Sequence, residues 1–476
     1  MLPLNHTAGG INMNFLLVGP LLRRSGIFFI RRSFKDNEPY KFVLRQYLDY
    51  LLEKRFTLEW FIEGGRSRSG KLREPQLGML AYVTDSYQRG IADDVALVPV
   101  SINYDQITDI SSYAAEQRGR SKESESLGWA IKFIMGLQHK NGSIHLRFGD
   151  PIMMSEHVDR DIDLHSTEGR NVLPKLAFEI SHAINDITPI TSISLVTLAL
   201  LSQENRGLTL TETMKVLEPF VDFVIERNLP TTFDLPFSST DDVVESLEAL
   251  VSSGVVSRVD GLTERVYVIG PDERLAAAYY RNTIIHFFVT TGIVELAIGM
   301  LMLEDLPLSE DAIVGRALRL RNFLKFEFFF PSSHEFEQQI RSEISRYGVS
   351  DESTGIMEID VDAMRPAKSP IVLRPFLEAY YVVAETLVVM GGEKVSADEL
   401  KGLSLRMGHQ LLAVGAIETS EAVSTTLFAS GVATADSRGL LTATLAERSA
   451  YADTLQEVIE VLNLIDATEV VQVAQA

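Results

Sequence analysis

The stretch FIEGGRSRSGK, residues 61–71, places a glutamate and two arginines in a glycine-rich loop after an apolar run. From Gly65 to Lys71 it satisfies G-x-x-x-x-G-K, the phosphate loop of nucleotide hydrolases. That motif continues with a Ser or Thr that ligates magnesium, whereas residue 72 is a leucine. Guanidinium forks suit a terminal phosphate monoester. The stretch therefore indicates a phosphate-binding loop in which Lys71 is incidental, with a nucleotide hydrolase as the weaker alternative.

Short apolar runs alternate with helical patterns on both sides of this loop. Residues 26–30, 57–62 and 95–102 are predicted strands, and the segments after residues 39 and 75 are predicted helices. This alternation is typical of an α/β domain with a mostly parallel sheet and crossover helices, in which ligands bind at the carboxyl ends of the strands. We expect the groups that follow the three strands to meet at one edge: Arg31 and Arg32, then Glu63, Arg66 and Arg68, then Asn103 and Tyr104.

Charge and composition restrict the function further. The 476 residues carry a net charge of −21, but residues 1–150 contain 20 basic and 16 acidic side chains while the remainder contains 24 and 49. An anionic substrate therefore belongs in the first third, and the acidic remainder argues against a nucleic-acid surface. Without cysteine the chain has no disulfide and no thiolate nucleophile, and the histidines show no metal-ligand spacing. The first residues do not resemble a signal peptide.

From about residue 161 to 476 the patterns are mainly helical. Within 187–270, two helices followed by a hairpin at Asp260-Gly261 suggest a winged-helix-like module. With 5 basic and 12 acidic residues it is a poor reader of DNA and is better suited to packing or a partner. The apolar stretch 283–303 contains His286 and Glu295, which favour a buried helix over a membrane-embedded one.

Three segments now carry a resemblance. GIFFIRR (26–32), FIEGGRSRSGK (61–71) and VALVPVSI (95–102) resemble the second, third and fourth sequence blocks of the glycerol-3-phosphate acyltransferase family. The longer text around them, with YAAEQRGRSKESES and later YYRNTIIHFF (279–288), is similar to the large bacterial, membrane-associated branch of that family. The resemblance implies an acyltransferase domain over residues 1–160. It also implies transfer of a fatty acyl group from acyl-CoA or acyl carrier protein to the sn-1 hydroxyl of glycerol 3-phosphate, which yields lysophosphatidate for phospholipid synthesis.

The resemblance also implies site residues and a location. Arg32 with Arg31, and Arg66 with Arg68, would hold the substrate phosphate, while Glu63 and Gly64 belong to the same block as the second pair. We expect Glu63 to orient the arginines or to hydrogen-bond a glycerol hydroxyl. No cofactor is implied beyond the acyl donor, and no metal. The family association places the protein at the cytoplasmic face of the cell membrane, as a peripheral or monotopic protein.

One element of the family pattern is missing from its usual place. The first block, H-x-x-x-x-D, should precede residue 26, but His6 is followed five positions later by Ile11. The pattern occurs instead at His145 and Asp150, on a predicted strand where residues five apart face opposite sides, so we interpret it as coincidental. We expect an amino-terminally truncated enzyme that is inactive or severely impaired. The alternative is a non-catalytic phosphate-binding or interaction protein derived from the same fold.

Overall fold

The computed structural model describes residues 4–14, 18–31, 36–120, 142–203, 206–232, 240–261, 264–350, 357–360, 364 and 367–473. Its first part contains a three-stranded parallel sheet in the order β2-β1-β3, formed by β1 (His6–Gly10), β2 (Ile27–Ile30) and β3 (Leu58–Glu59). Our sequence analysis did not anticipate β1, because HTAGG lacks a β-branched or aromatic run. Gly9 suits the central position, since a Cβ there would lie 2.8 Å from Ile27 Cγ2 on the neighbouring strand.

Helices α1 (Val18–Arg24), α2 (Glu38–Glu53) and α3 (Leu77–Gln88) accompany this sheet. The first turn of α2 is stabilised by the Asn37 side chain, which accepts a hydrogen bond from the backbone N–H of Tyr40 at 3.0 Å. The buried face of α2 packs Leu44 and Leu48 against apolar residues of β2 and β3. The α/β domain predicted from the alternating pattern, followed by a mainly helical region, is confirmed.

The predicted strand 95–102 differs from the expectation. It is divided at Pro99 into β4 (Ala96–Leu97) and β5 (Val100–Tyr104), and neither belongs to the parallel sheet. β5 pairs antiparallel with β6 (Ile144–Phe148), and β4 pairs antiparallel with β7 (Ile152–Met153). Proline lacks the N–H that a continuous ladder needs, which accounts for the division.

Further helices follow α3 in the described parts of the chain, up to Val473. They are α4 (Ile110–Gln117), α5 (Met154–His157), α6 (Val172–Asp186), α7 (Ser192–Leu201), α8 (Leu210–Glu226), α9 (Thr240–Ser252), α10 (Arg274–Asn282), α11 (His286–Leu303), α12 (Glu310–Leu324), α13 (Ser333–Ile344), α14 (Ser369–Val389), α15 (Ala397–Ala413), α16 (Thr425–Ser437) and α17 (Leu445–Val473). Strands β8 (Leu208–Thr209), β9 (Ser257–Asp260) and β10 (Arg265–Val268) form a small antiparallel sheet in the order β8-β10-β9. A two-stranded antiparallel sheet joins β11 (Gly348–Ser350) to β12 (Met357–Ile359).

The order of helices and strands around the small sheet β8-β10-β9 is that of a winged helix: α7 precedes β8, and α8 and α9 precede the β9–β10 hairpin. Its helices contribute to one large core that extends through α11 and α14. The module is therefore packed into the carboxyl-terminal region through a continuous apolar interior.

Helix α11 is the one helix in the described part of the chain that is long and apolar enough to cross a membrane, but 67% of this helix is buried in the protein. Glu295 on this helix is fully buried. Its carboxylate accepts hydrogen bonds from the backbone N–H groups of Lys368 and Ser369 at 2.6 and 2.8 Å, next to the start of α14. A buried carboxylate that is paired in this way is typical of a protein core.

Candidate phosphate-binding site

The loop at residues 61–76 leaves β3 and returns to α3 through a closed neck. Gln76 N–H donates to the carbonyl of Ile62 at 2.7 Å, and Arg73 N–H donates to Glu63 Oε2 at 3.0 Å. Gly64 has a φ of +61°, a left-handed conformation that glycine adopts readily. Burial raises the pKa of the Glu63 carboxyl, against the opposing effect of the Arg73 N–H. Glu63 therefore holds the base of the loop, a contact that sequence reasoning did not anticipate.

Arg66 and Arg68 are held by acids that lie on or directly before helix α4. Arg66 Nη1 lies 3.4 Å from Asp109, which directly precedes that helix, and half of the Arg66 side chain is exposed. Arg68 Nε donates to Glu116 at 2.7 Å, and its guanidinium lies 4.5 Å from the ring centroid of Tyr113. Arg68 Nη1 also donates to the carbonyl of Arg66 at 3.4 Å. A guanidinium carries five N–H donors in a fixed fork, a geometry that suits phosphate oxygens as acceptors. No motif marked α4 as the source of these acidic partners.

Arg31 lies at the same edge of the sheet as this loop. It directly follows β2, the loop follows β3, and both strands run parallel to β1 between them. Neighbouring strands are roughly 4.8 Å apart, so β2 and β3 lie about 10 Å apart across the sheet. β2 ends level with Gly10 and β3 ends level with Thr7, so the two strand ends are also offset by three residues along β1. The backbone N–H of Arg31 donates to Tyr40 Oη at 3.1 Å, and its guanidinium lies 5.4 Å from that ring. Arg32 lies outside the described residues.

The third group expected at this edge is elsewhere. Because β5 pairs antiparallel with β6, Asn103 and Tyr104 do not extend the parallel sheet. The Asn103 side chain is buried and donates to the carbonyl of Pro189 at 3.0 Å. The expectation that the ends of three parallel strands converge was wrong in this respect, and the predicted site is reduced to the ends of β2 and β3 with the intervening end of β1.

His145 has a partner other than the one its motif suggests. Its Nε2 lies 3.0 Å from Asp105 Oδ1, across the β5–β6 pair, while Asp150 is exposed beyond the end of β6. Asp105 also accepts a hydrogen bond from Ser143 N–H at 2.7 Å. The arrangement therefore ties the ends of two strands together. Among the described residues, no group of three or more His, Asp or Glu side chains is placed to hold a metal ion.

The sequence alone indicates that Lys71 is incidental, but the structure gives it a buried partner. Its Nζ forms an ion pair with the carboxylate of Glu327 in the carboxyl-terminal region, and only 10% of the lysine side chain is exposed. In a nucleotide-binding loop this lysine reaches the phosphates. Here it is directed into a distant helical core, which argues against the nucleotide-loop alternative.

Comparisons with known proteins match both the first domain and the helical region of this chain. Residues 4–103 match the family described as acyltransferase, and residues 113–444 match the family described as the glycerol-3-phosphate acyltransferase C-terminal region. The chain is 34% identical to a putative acyltransferase plsB1 of Mycobacterium tuberculosis, over 91% of this chain and 71% of that protein, and equally to its Mycobacterium bovis counterpart. It is 26% identical to a glycerol-3-phosphate acyltransferase of Actinobacillus pleuropneumoniae, over 98% of this chain and 57% of that protein. The chain therefore belongs to the glycerol-3-phosphate acyltransferase family.

Proposed function

We propose that this protein serves in phospholipid synthesis by accepting glycerol 3-phosphate as the acyl acceptor at the edge formed by β2 and β3. The reaction is transfer of a fatty acyl group from acyl-CoA or acyl carrier protein to the sn-1 hydroxyl, which gives lysophosphatidate. The observation that carries the proposal is the arginine-bearing loop 61–71 at the carboxyl end of a parallel sheet, in a chain of this family.

The phosphate is bound by arginines from both ends of this edge. Arg66 and Arg68 approach it from the loop and Arg31 from the end of β2. Arg32, the next residue in the sequence, is assigned to the same phosphate by the family pattern alone. A phosphate monoester carries close to two negative charges at neutral pH, and a second guanidinium therefore adds a charge-assisted hydrogen bond that one arginine cannot supply. The acids that hold the loop arginines, Asp109 and Glu116, fix their direction before substrate arrives. Glu63 contributes by closing the loop, and we expect it to hydrogen-bond a glycerol hydroxyl through its second oxygen.

The 476 residues as they stand bind glycerol 3-phosphate and transfer acyl groups slowly or not at all. Acyl transfer of this kind needs a base on the attacking hydroxyl. The sequence contains one H-x-x-x-x-D, at His145 and Asp150, and His145 is engaged with Asp105 in the β5–β6 pair. A non-catalytic phosphate-binding protein of the same fold is the second candidate, and the same observation on His145 favours it.

Peripheral association with the cytoplasmic face of the membrane is also proposed. The β5–β6 ribbon turns its hydrogen-bonded polar side chains inward, as the contact between Ser101 and Thr188 at 2.8 Å shows. Its outward face carries large apolar side chains that are exposed, namely Ile102, Tyr104, Ile144, Leu146 and Phe148. Contiguous exposed apolar side chains of this kind mark a binding surface. The first 150 residues are also the basic part of the chain, which suits anionic lipid.

The binding step is tested by isothermal titration of the purified chain with glycerol 3-phosphate. We expect saturable binding that weakens by roughly ten- to a hundredfold in Arg66→Ala and in Arg68→Ala, because each removes a charged hydrogen bond that contributes about 1.5–3 kcal/mol. Lys54→Ala is the matched control, since it removes one exposed basic charge from the same domain away from the loop. Absence of binding by the unmodified chain, or equal affinity in all three variants, contradicts the assignment.

Turnover is tested separately, by following acyl transfer from palmitoyl-CoA to glycerol 3-phosphate. We expect little or no lysophosphatidate from the unmodified chain. Rapid turnover that survives His145→Ala contradicts the expectation that this chain lacks an effective base.

A further inference from the structure

The phosphate-binding loop contacts a region more than 250 residues away in the sequence. Lys71 Nζ pairs with the Glu327 carboxylate and also donates to the Glu327 carbonyl at 3.3 Å. The ammonium lies 4.9 Å from the ring centroid of Phe328 and 4.5 Å from that of Phe376. Tyr380 Oη donates to the other carboxylate oxygen of Glu327 at 2.9 Å. The lysine is therefore fixed by a carboxylate and two rings, all of them outside the acyltransferase domain.

A second contact reaches the loop from α10. The side chain of Asn282, at the end of that helix, donates to the carbonyl of Ser69 at 2.8 Å. Asn282 is in turn held by Arg281, whose Nη2 donates to the Asn282 amide oxygen at 2.9 Å and lies 2.8 Å from Glu421. All four residues are buried. A loop carbonyl is thus connected, through one amide and one ion pair, to the turn that precedes α16.

A third contact reaches the backbone of an arginine itself. Gln117 Nε2, at the end of α4, donates to the carbonyl of Arg68 at 2.9 Å. The oxygen of the same amide accepts a hydrogen bond from Ser424 Oγ at 3.1 Å, and Thr425 Oγ1 donates to the Gln117 carbonyl at 3.0 Å. Helix α4 is therefore seated on the start of α16. The two acids that direct the loop arginines are Glu116 on α4 and Asp109 directly before it.

We propose that the carboxyl-terminal region sets the geometry of the phosphate-binding loop, with Lys71 and Asn282 as positioning residues for the arginines at 66 and 68. This inference rests on the proposed function of the loop and adds a role for the helical region. Neither residue touches the substrate. Lys71 lies three residues after Arg68, and Ser69 directly follows Arg68. Loss of the Lys71–Glu327 contact or of the Ser69–Asn282 contact therefore releases the backbone that carries the guanidinium groups.

The test uses two variants of the full chain. Lys71→Met together with Glu327→Gln removes both partners of the buried ion pair, which avoids leaving a single uncompensated charge in the core. Asn282→Ala removes the second contact independently. Lys401→Met is the control, because Lys401 pairs with Asp398 at 3.7 Å on the exposed surface of α15 in the same region. Each protein is measured by amide hydrogen exchange, by thermal unfolding and by titration with glycerol 3-phosphate at 15 °C.

We expect peptides that cover residues 62–72 to exchange at least tenfold faster in both variants than in the unmodified chain. Peptides from α7 should be unchanged, and affinity for glycerol 3-phosphate should fall at least fivefold while the protein remains folded at 15 °C. The control should match the unmodified chain in all three measurements. Because the exchange measurement needs no ligand, it reports on positioning even if the loop binds another anion.

Two results overturn the inference. One is a folded double variant whose loop exchange and affinity equal those of the unmodified chain, which would reduce Lys71 to a contributor to stability. The other is faster exchange spread evenly over the whole chain, in Asn282→Ala as well as in the double variant, which would show that the contacts hold the fold and not the loop. Failure of the unmodified chain to bind glycerol 3-phosphate, with loop-specific acceleration intact, contradicts the proposed substrate and supports the positioning role.

Discussion

Gly70 lies directly against the backbone of α10. Its φ is +86°, and a Cβ added there would lie 1.9 Å from the carbonyl oxygen of Tyr279 and 2.8 Å from the carbonyl carbon. Cβ atoms essentially never approach another heavy atom closer than 3.0 Å, so the loop or α10 would have to move by more than 1 Å. Because the obstacle is backbone, no change of rotamer removes the clash.

We expect Gly70→Ala to lower the free energy of unfolding by about 3 kcal/mol. Holding a residue with a Cβ in a left-handed conformation costs roughly 1–2 kcal/mol, and forcing extra atoms into a packed contact costs about 1–3 kcal/mol. Affinity for glycerol 3-phosphate should fall by at least tenfold, since a displacement of about 1 Å at a binding group has effects of that size or larger. The assays are the urea midpoint followed by far-ultraviolet circular dichroism, and calorimetric titration.

Gly78→Ala provides the matched control on the same stretch of chain. Gly78 lies in the first turn of α3, and a Cβ there meets nothing within 4 Å. Alanine is favoured over glycine in a helix by roughly 0.5–1 kcal/mol, so this variant should be as stable as the unmodified chain or slightly more so. A Gly70→Ala protein with an unchanged urea midpoint and unchanged affinity would refute the close contact between the loop and α10.

Two further predictions concern pH and lipid. Burial lowers the pKa of His286 to about 4, although its hydrogen bond to the carbonyl of Asn185 opposes the shift. As the pH falls below about 6.5, the unfolded chain therefore takes up a proton at this histidine that the folded chain does not. The free energy of unfolding should be about 2 kcal/mol lower at pH 5 than at pH 7 because of this group. His286→Gln should remove that part of the decrease in urea midpoint and exposed His409→Gln should keep it, whereas an equal decrease in both variants would contradict the assignment. In vesicle flotation with anionic lipid, replacing both Leu146 and Phe148 by serine should weaken association of the protein with the vesicles at least tenfold, because each apolar side chain contributes about 1.5–3 kcal/mol when removed from water. The control Val414→Ser, at an exposed site of the acidic region, should have no effect. Equal flotation of the double variant and the control would exclude the β5–β6 ribbon as the membrane face.

Several features of the site were predicted by local sequence because the signals lie within a few residues of one another. The loop with Glu63, Arg66 and Arg68 follows a predicted strand and precedes a predicted helix, and the structure has both, although β3 is shorter than expected. Helical spacing and capping residues are likewise local, and α2 begins within two residues of its predicted start. The placement of Arg31 at the same edge required one assumption, parallel strands, which holds for β1, β2 and β3.

Other features depended on which segments meet in space. Strand β1 takes the central position through its neighbours and not through its own composition, and the strand predicted at 95–102 is divided because Pro99 interrupts its ladder. The acids that hold Arg66 and Arg68 lie more than 40 residues from them, on or directly before a helix without a recognisable motif.

The sequence by itself determined the family, the α/β class of the first domain and the loop that carries the arginines. Only the tertiary structure decided what that loop rests on. Lys71 matched a familiar motif and was assigned no role, because its partner Glu327 is 256 residues away and nothing near either residue marks the pairing. Burial of two opposite charges between aromatic rings is a property of two packed surfaces, and one-dimensional patterns carry no information about it until the chain has folded.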